Sequence, residues 1–251
     1  MADFYDALAP YYHLIYPDWP ASVRRQGEQL ADIIEAAWPG SSCVLDVACG
    51  IGTQTIALAA KGYSVIGSDL SAQAVARACD EAANWDVDIP FSVCDMREAN
   101  HFHGTGFNVV VCADNALPHL LDDQDILAAL RSMHACVVDG GGVIISVRDY
   151  AAEERGRNLL KPYGVRVDGN KRYLLFQVWD FDADGTHYDL TLYLIEEDLR
   201  SNTTRSQALR SRYYAIGVEH LMDLMREVGF KQVRRMDSAF YQPVLVGTRR
   251  G

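Results

Sequence analysis

Residues 44–53, which read Val-Leu-Asp-Val-Ala-Cys-Gly-Ile-Gly-Thr, limit the possible folds more than any other stretch of this chain. An apolar run ends in Asp46, passes through Gly50 and Gly52, and continues into residues 53–60, which have helical character. This pattern describes a parallel strand whose carboxyl end turns sharply into a helix. The glycines stand where a Cβ would block either the turn or a ligand lying against the backbone. A second apolar run, residues 63–68, ends at Asp69, which follows Gly52 by 17 residues. An acid at the tip of a second strand is placed to receive a ribose diol. Together the two features predict a nucleoside-binding half-fold.

One absence narrows the nucleoside. A dinucleotide site wants a third glycine three residues after the second, so that the helix start can face a pyrophosphate. Here that position is Thr55, preceded by Thr53 and Gln54. An acidic Asp46 at the mouth repels a pyrophosphate and suits a cation or an amino group. The expected cofactor is therefore S-adenosyl-L-methionine, which carries a sulfonium, an ammonium and a ribose but no phosphate, with S-adenosyl-L-homocysteine as product.

The 34 acidic and 23 basic residues give a net charge of −11, which disfavours a phosphate backbone as partner. No nucleic acid is expected, and the arginines at 205, 210, 212, 234, 235, 249 and 250 read as solvated strand faces. The six cysteines form no Cys-x-x-Cys pair and sit mostly in apolar runs, as small buried hydrophobes do in a reducing compartment. The opening residues have neither a basic start nor an apolar core, and no run approaches a membrane span. The expectation is a cytoplasmic protein with no membrane partner; a homo-oligomer is allowed.

Along the chain, residues 3–20 hold Phe4, Tyr5, Tyr11, Tyr12, Tyr16 and Trp19 beside Pro17 and Pro20. The prolines predict an irregular leader with no continuous helix through Trp19. Its rings either close over a pocket or simply dock the leader on the core. A helix over 22–38 follows, then the first strand, the second, and a helix over 72–84 capped by Ser71. Residues 89–94 predict a third strand ending in Asp95-Met96-Arg97, where Asp95 either accepts from an adenine amine or caps a short turn. The fourth strand, 107–112, is continuously apolar, as a doubly covered parallel strand should be. It ends in Ala113-Asp114-Asn115-Ala116-Leu117-Pro118-His119-Leu120, whose polar Asn115 and His119 stand out in an apolar loop. After a helix over 122–137, Gly140-Gly141-Gly142 are expected to turn the chain into a fifth strand, 143–147, ending at Arg148-Asp149-Tyr150. From 151 the helix and strand alternation stops. Runs at 171–182, 187–196 and 204–215 predict three antiparallel strands, the first two joined at Asp184-Gly185. A helix over 218–228 and two strands, 230–236 and 243–248, close the chain.

These motifs resemble the class I S-adenosylmethionine-dependent methyltransferases, and the resemblance implies an α/β, Rossmann-like seven-stranded sheet flanked by helices. The expected organisation is an N-terminal lid and helix (1–40), a cofactor-binding core (41–150 and 216–251) and an antiparallel insertion over the active face (151–215). Within the family, Gly50 and Gly52 match the loop around the methionine moiety, Asp69 the ribose-binding acid, and Asp95 with Met96 the adenine side. Asp46, Ala48, Leu70 and Ala113 complete the expected cofactor contacts. The segment 114–120 and the ending Arg148-Asp149-Tyr150 are similar to those of glycine and sarcosine N-methyltransferases, which implies that Arg148 holds a substrate carboxylate.

The activity so implied is methyl transfer to the nitrogen of a small amine or amino acid such as glycine or sarcosine. Arg148, Asn115, Tyr11 and Tyr12 are the expected substrate contacts. His119 and Tyr150 are the expected catalytic groups, His119 as a neutral-pH base or orienting donor and Tyr150 through its ring or oxygen. The alternatives are O-methylation of a small carboxylic or phenolic metabolite and a noncatalytic cofactor-binding module. No metal is expected, because the histidines and acids lack ligand spacing.

Overall fold

The β1 strand (Cys43–Asp46) is paired in parallel with β2 (Ser64–Asp69) on one side and β4 (Phe107–Cys112) on the other. The structure, a computed structural model, describes residues 2–250. With β3 (Phe91–Val93), β5 (Val137–Ser146), β10 (Lys231–Met236) and β11 (Val244–Thr248), these strands form a seven-stranded sheet of order β10-β11-β5-β4-β1-β2-β3. Only the β11 pairings, to β5 and β10, are antiparallel. The sheet explains the apolar run of β4: successive side chains feed opposite covered faces. Val110 and Cys112 pack with Ile126, Leu130 and Met133 of α6 (Asp123–Cys136) and Leu221 and Met225 of α7 (Val218–Glu227). Val109 and Val111 pack with Leu30, Ile33 and Ile34 of α2 (Trp19–Ala37) and Leu58 of α3 (Thr53–Ala59). Each fully buried valine of this kind contributes about 1.5–3 kcal/mol.

Of the other helices, α4 (Ala72–Asn84) packs on β2 and β3, and α5 (Ala99–His103) packs on α6. The Ser71 hydroxyl caps α4 by accepting from the Ala74 amide at 3.1 Å.

Three expectations are corrected here. The leader is helical rather than irregular, with α1 (Ala2–Leu8) followed by a 3₁₀ turn (Ala9–Ile15); the break expected at the prolines does occur, and α2 starts afresh at Trp19, ahead of the expected start at residue 22. Pro20 lies in the first turn of α2, where its missing amide costs nothing, and Asp18 caps the helix through the Ala21 amide at 2.9 Å. The glycine triplet does not precede the fifth strand but lies inside it, since β5 starts at Val137. Between the Phe107–Val137 and Val109–Gly142 pairs the register shifts, and the extra residues bulge. Gly142 has no room for a side chain: a Cβ there would collide with the Trp38 ring and the Gly247 carbonyl.

The third correction is a fourth strand in the second sheet. β6 (Leu159–Asp168), β7 (Lys171–Phe181), β8 (His187–Asp198) and β9 (Thr203–Tyr214) form an antiparallel meander in that order. β6 is an edge strand interrupted by a register shift between Pro162 and Gly164, so it lacks the alternation that marks its neighbours. One face of the meander, with Trp179, Tyr188, Leu190, Leu192 and Tyr213, packs on Phe4 and Leu8 of α1 and on Tyr150. The leader is thereby held between this meander and the carboxyl ends of the seven-stranded sheet. From its other side, Asp6 accepts from the Ser71 hydroxyl at 2.6 Å and the Gln73 amide at 3.1 Å at the start of α4. No helix among the described residues is long and apolar enough to cross a membrane.

Candidate active site

Each of the four neighbouring parallel strands β1 to β4 contributes one wall of a cleft at its carboxyl end. Val47, Ala48 and Gly50 follow β1, Asp69, Leu70 and Ser71 follow β2, Asp95, Met96 and Arg97 follow β3, and Ala113, Asp114, Ala116, His119 and Leu120 follow β4. Ala2, Tyr5 and Tyr12 of the leader roof it, and the cleft encloses about 680 Å³ including its mouth. The Asp69 carboxylate joins two of these walls, accepting from the Gly50 amide and the Ser71 amide, each at 2.9 Å. Burial raises its pKa, while those amide bonds lower it. Gly50 has φ +53° and open space where a Cβ would stand, so its backbone faces the cleft bare. Asp95 holds the Arg97 guanidinium at 2.7 Å and accepts from the Arg97 amide at 2.9 Å, so it caps its turn while still lining the cleft.

Asp46 and Gly52 were expected among the cofactor contacts and belong elsewhere. Asp46 is fully buried behind the strand end, accepting from the Thr55 hydroxyl at 2.8 Å and the Ala48 amide at 3.2 Å. Burial pushes its carboxyl up to about 7. Asp46 is still the last residue of the strand, one position short of the mouth; Val47 and Ala48, which follow it, line the cleft instead. Gly52, with φ +91°, is the residue before α3, and a Cβ there would press on Ile56. It shapes the turn rather than the cleft.

A second, inner cavity of about 520 Å³ adjoins the cleft and shares Tyr5, Tyr12 and Asp114 with it. Asn115, Arg148, Tyr163, Gln177, Tyr188 and Tyr213 are among its other walls. Asn115 and Arg148 are thus brought together: the Asn115 side-chain oxygen accepts from the Arg148 amide at 2.9 Å. The Arg148 guanidinium lies 4.4 Å from the Trp179 ring centroid, with Glu153 at 3.8 Å. This pair is too long for a close bidentate clamp, which leaves donors facing the cavity.

Tyr150 and Tyr11 do not line either space. Tyr150 is fully buried, with its hydroxyl between the Asn115 amide nitrogen at 2.9 Å and the Tyr188 hydroxyl at 3.1 Å. It fixes Asn115 from behind, because the chain after β5 turns it into the meander core. Tyr11 points the other way around the 3₁₀ turn and meets Tyr173 at a ring separation of 6.3 Å. His119 does line the cleft, and its Nε2 is 2.6 Å from the Tyr5 hydroxyl. Burial holds His119 down near pKa 3, so it is a neutral imidazole at physiological pH.

The feature that sequence reasoning missed is Asp114. Its Oδ2 accepts from the Tyr12 hydroxyl at 2.8 Å and the Tyr16 hydroxyl at 3.2 Å, and its Oδ1 from the Tyr241 hydroxyl at 2.6 Å. Burial raises the pKa of all three phenols well above the ordinary value, and the Asp114 charge adds to the rise. The signal for Asp114 was available, since it occupies the same strand-end loop that singled out Asn115 and His119. Tyr241 had no local signal, because it arrives from the loop between the last two strands.

Residues 44–141 match the methyltransferase domain family, and the span contains every cleft residue outside the leader. The chain carries a methyltransferase domain and is an S-adenosylmethionine-dependent methyltransferase. S-adenosylmethionine is its cofactor. This methyltransferase is 27% identical over 217 residues to glycine/sarcosine N-methyltransferase of Parasynechococcus marenigrum, covering 86% of the chain and 72% of that relative. It is 34% identical over 122 residues to glycine N-methyltransferase of Mus musculus, covering 44% of the chain but only 42% of that longer protein. In fold it is similar to the S-adenosylmethionine-bound amino pentose methyltransferase CalS10 of Micromonospora echinaspora, with TM-score 0.80, 18% identity and coverage of 97% and 96% of the two chains.

Proposed function

We propose that this methyltransferase methylates the nitrogen of a small amine, with an amino acid such as glycine or sarcosine as the first candidate. The observation that carries the reading is Asp114, a carboxylate clasped by three tyrosine hydroxyls and facing both the cleft and the inner cavity. The cofactor supplies a methyl group made electrophilic by its sulfonium. In transfer to nitrogen the positive charge moves to the acceptor, and a carboxylate beside the acceptor favours that movement. A phenolate or carboxylate oxygen would have to approach as an anion, and Asp114 would repel it. The aromatic rings around the inner cavity exclude water and present faces that favour a methylated ammonium.

The cleft residues suit the cofactor by their donor set. Asp69 would take the ribose hydroxyls, and Gly50 with Ala48 would lie along the methionine portion. Met96, Ala116 and Leu120 offer apolar surface for a base, with Asp95 at its edge. Arg148 would hold an acceptor carboxylate and Asn115 would orient it, with Tyr150 positioning Asn115 from below. Neutral His119 and the Tyr5 hydroxyl form an orienting pair at the cleft boundary; a base needing pKa near 7 is a role His119 does not fit. The resemblance of two short sequence segments and the relative spanning most of the chain support the amino-acid reading.

A second reading, an amino sugar as acceptor, is favoured by the Glu153 and Trp179 that already neighbour Arg148. Methyl-labelled cofactor offered with glycine, sarcosine, an amino sugar and a phenol, followed by mass spectrometry, separates these readings. Label on an amino-acid nitrogen is the expected outcome. Label on the sugar nitrogen alone would replace the substrate class, and label only on oxygen would overturn N-methylation.

A further inference from the structure

A third space, of about 1070 Å³ including its opening, lies beyond the inner cavity over the ends of β5 and β11. Ile15 and Tyr16 of the leader, Ala152 and Glu153 after β5, and Tyr241 and Gln242 before β11 form its rim and walls. In the sheet, β5 and β11 lie on the opposite side of β4 from β1, β2 and β3, whose ends build the cofactor cleft. The vestibule shares Ile15, Asp114, Arg148, Tyr163 and Gln242 with the inner cavity, whereas Asp114 is the one residue it shares with the cofactor cleft. The cleft has its own opening past Leu70, which is 38% exposed, and Arg97. The molecule therefore has two approaches to one reaction centre.

We infer that the acceptor enters through this vestibule, separately from the cofactor, and that Tyr16 and Tyr241, clasped on Asp114, form the gate it must open. The two phenols come from different segments, the end of the leader and the loop between β10 and β11. They meet on the two oxygens of one carboxylate, at 3.2 and 2.6 Å. Tyr241 is 44% exposed, so one side of the gate is in contact with solvent. Opening requires another donor to take over at Asp114. A protonated amine is such a donor and adds charge attraction; a neutral hydroxyl adds none, and an anion is repelled. The gate thus selects cationic amines before they reach the methyl group. A nitrogen that enters protonated gives that proton to water in the open vestibule; its lone pair then forms the N–C bond as the sulfonium C–S bond breaks, S-adenosylhomocysteine is the leaving group, and the methylated nitrogen carries the charge away as an ammonium. Because the two openings are separate, spent cofactor can be exchanged while the acceptor stays on Asp114. Successive transfers to one acceptor then need no release between them.

The inference rests on N-methyl transfer, and its test distinguishes the two. Ala152 is exposed on the vestibule wall, so Ala152→Cys is made in a Cys79→Ser background, which removes the exposed native thiol. The variant is labelled with a polyethylene-glycol maleimide, with the Cys79→Ser protein treated alike as control. The unlabelled variant is first offered amine and phenol acceptors; a preference for phenol would defeat N-methylation, and the doorway is then tested with whichever acceptor is turned over. Expected on labelling are a loss of at least tenfold in acceptor kcat/KM and a cofactor Kd unchanged within twofold by calorimetry. Undiminished turnover, or an equal loss of cofactor affinity, would overturn the separate doorway. The gate is tested by Tyr241→Ala, which should raise kcat/KM for a bulky amine relative to a small one about tenfold. An unchanged ratio would remove Tyr241 from the gate.

Discussion

The cofactor cleft and the acceptor cavity meet at Asp114 but are made in different ways. The cleft is made of backbone and short side chains at successive strand ends, with Asp69 tying its walls through the Gly50 and Ser71 amides. The cavity is made of large rings brought from the leader, the meander and the last loop, joined by hydroxyls to one carboxylate. Amides in a sheet framework are fixed by the fold itself, so the first region is preorganised. The second is held by side-chain contacts between segments distant in sequence, so changes there should alter acceptor choice before they alter the cofactor site.

That division is broken most directly at Asp69. Asp69→Ala should weaken cofactor binding about 100-fold, the effect of losing two charge-assisted hydrogen bonds. A Kd left unchanged in calorimetry would remove Asp69 from the ribose role. Asp114→Asn should lower kcat/KM for an amine about 10- to 100-fold, because the charge that favours the ammonium is gone while the shape remains. If steady-state kinetics instead show a matching loss of cofactor affinity, the two regions are not separable at Asp114. Arg148→Lys keeps the charge and loses the planar fork, so KM for a carboxylate-bearing amine should rise about tenfold. An amino sugar should feel little of this, and equal effects on both acceptors would dismiss the carboxylate clamp.

The smallest effect concerns acid stability, where two buried groups, one in the cleft and one behind it, oppose each other. His119 titrates near 3 in the folded protein against an ordinary 6.5, so between those values the unfolded chain binds more protons. Its contribution to stability is therefore lost as pH falls below about 6.5, by about 2 kcal/mol at pH 5. Asp46, pushed up to about 7 from 3.8, has the opposite sign: the folded state binds the extra proton, and acidification from pH 7 favours it. In urea unfolding at pH 7 and pH 5, His119→Asn should lose less stability on acidification than the parent, and Asp46→Asn should lose more. Equal slopes in all three proteins would mean that neither group titrates as its burial dictates.

The same division governs what could be read from the chain. Most of the sheet was legible because its signals are local: an apolar run, a strand-end acid, a capping Ser71. Cleft residues such as Gly50, Asp69 and Met96 follow from position along individual strands. Asp46 misled because one residue of strand length decides whether an acid faces the mouth or Thr55. The start of α2 at Trp19 was hidden because Pro20 breaks a helix interior but fits a first turn. β6 and the glycines inside β5 escaped because edge pairing and a bulge are set by neighbours distant in sequence. The cluster on Asp114 gathers Tyr12, Tyr16 and Tyr241, a meeting that no spacing announces.

Asp114 and Asn115 both have left-handed backbone angles, φ +57° and +61°. That conformation is open to aspartate, asparagine and glycine and hostile to branched residues. At 114 the permitted alternatives are therefore few, and they differ chiefly in charge: a carboxylate, an amide or nothing. A lineage drifting among these three can switch the electrical character of the acceptor cavity in a single step without disturbing the loop. Preference for one acceptor over another is then an easily revised trait, carried on a scaffold whose cofactor half has far less freedom to vary.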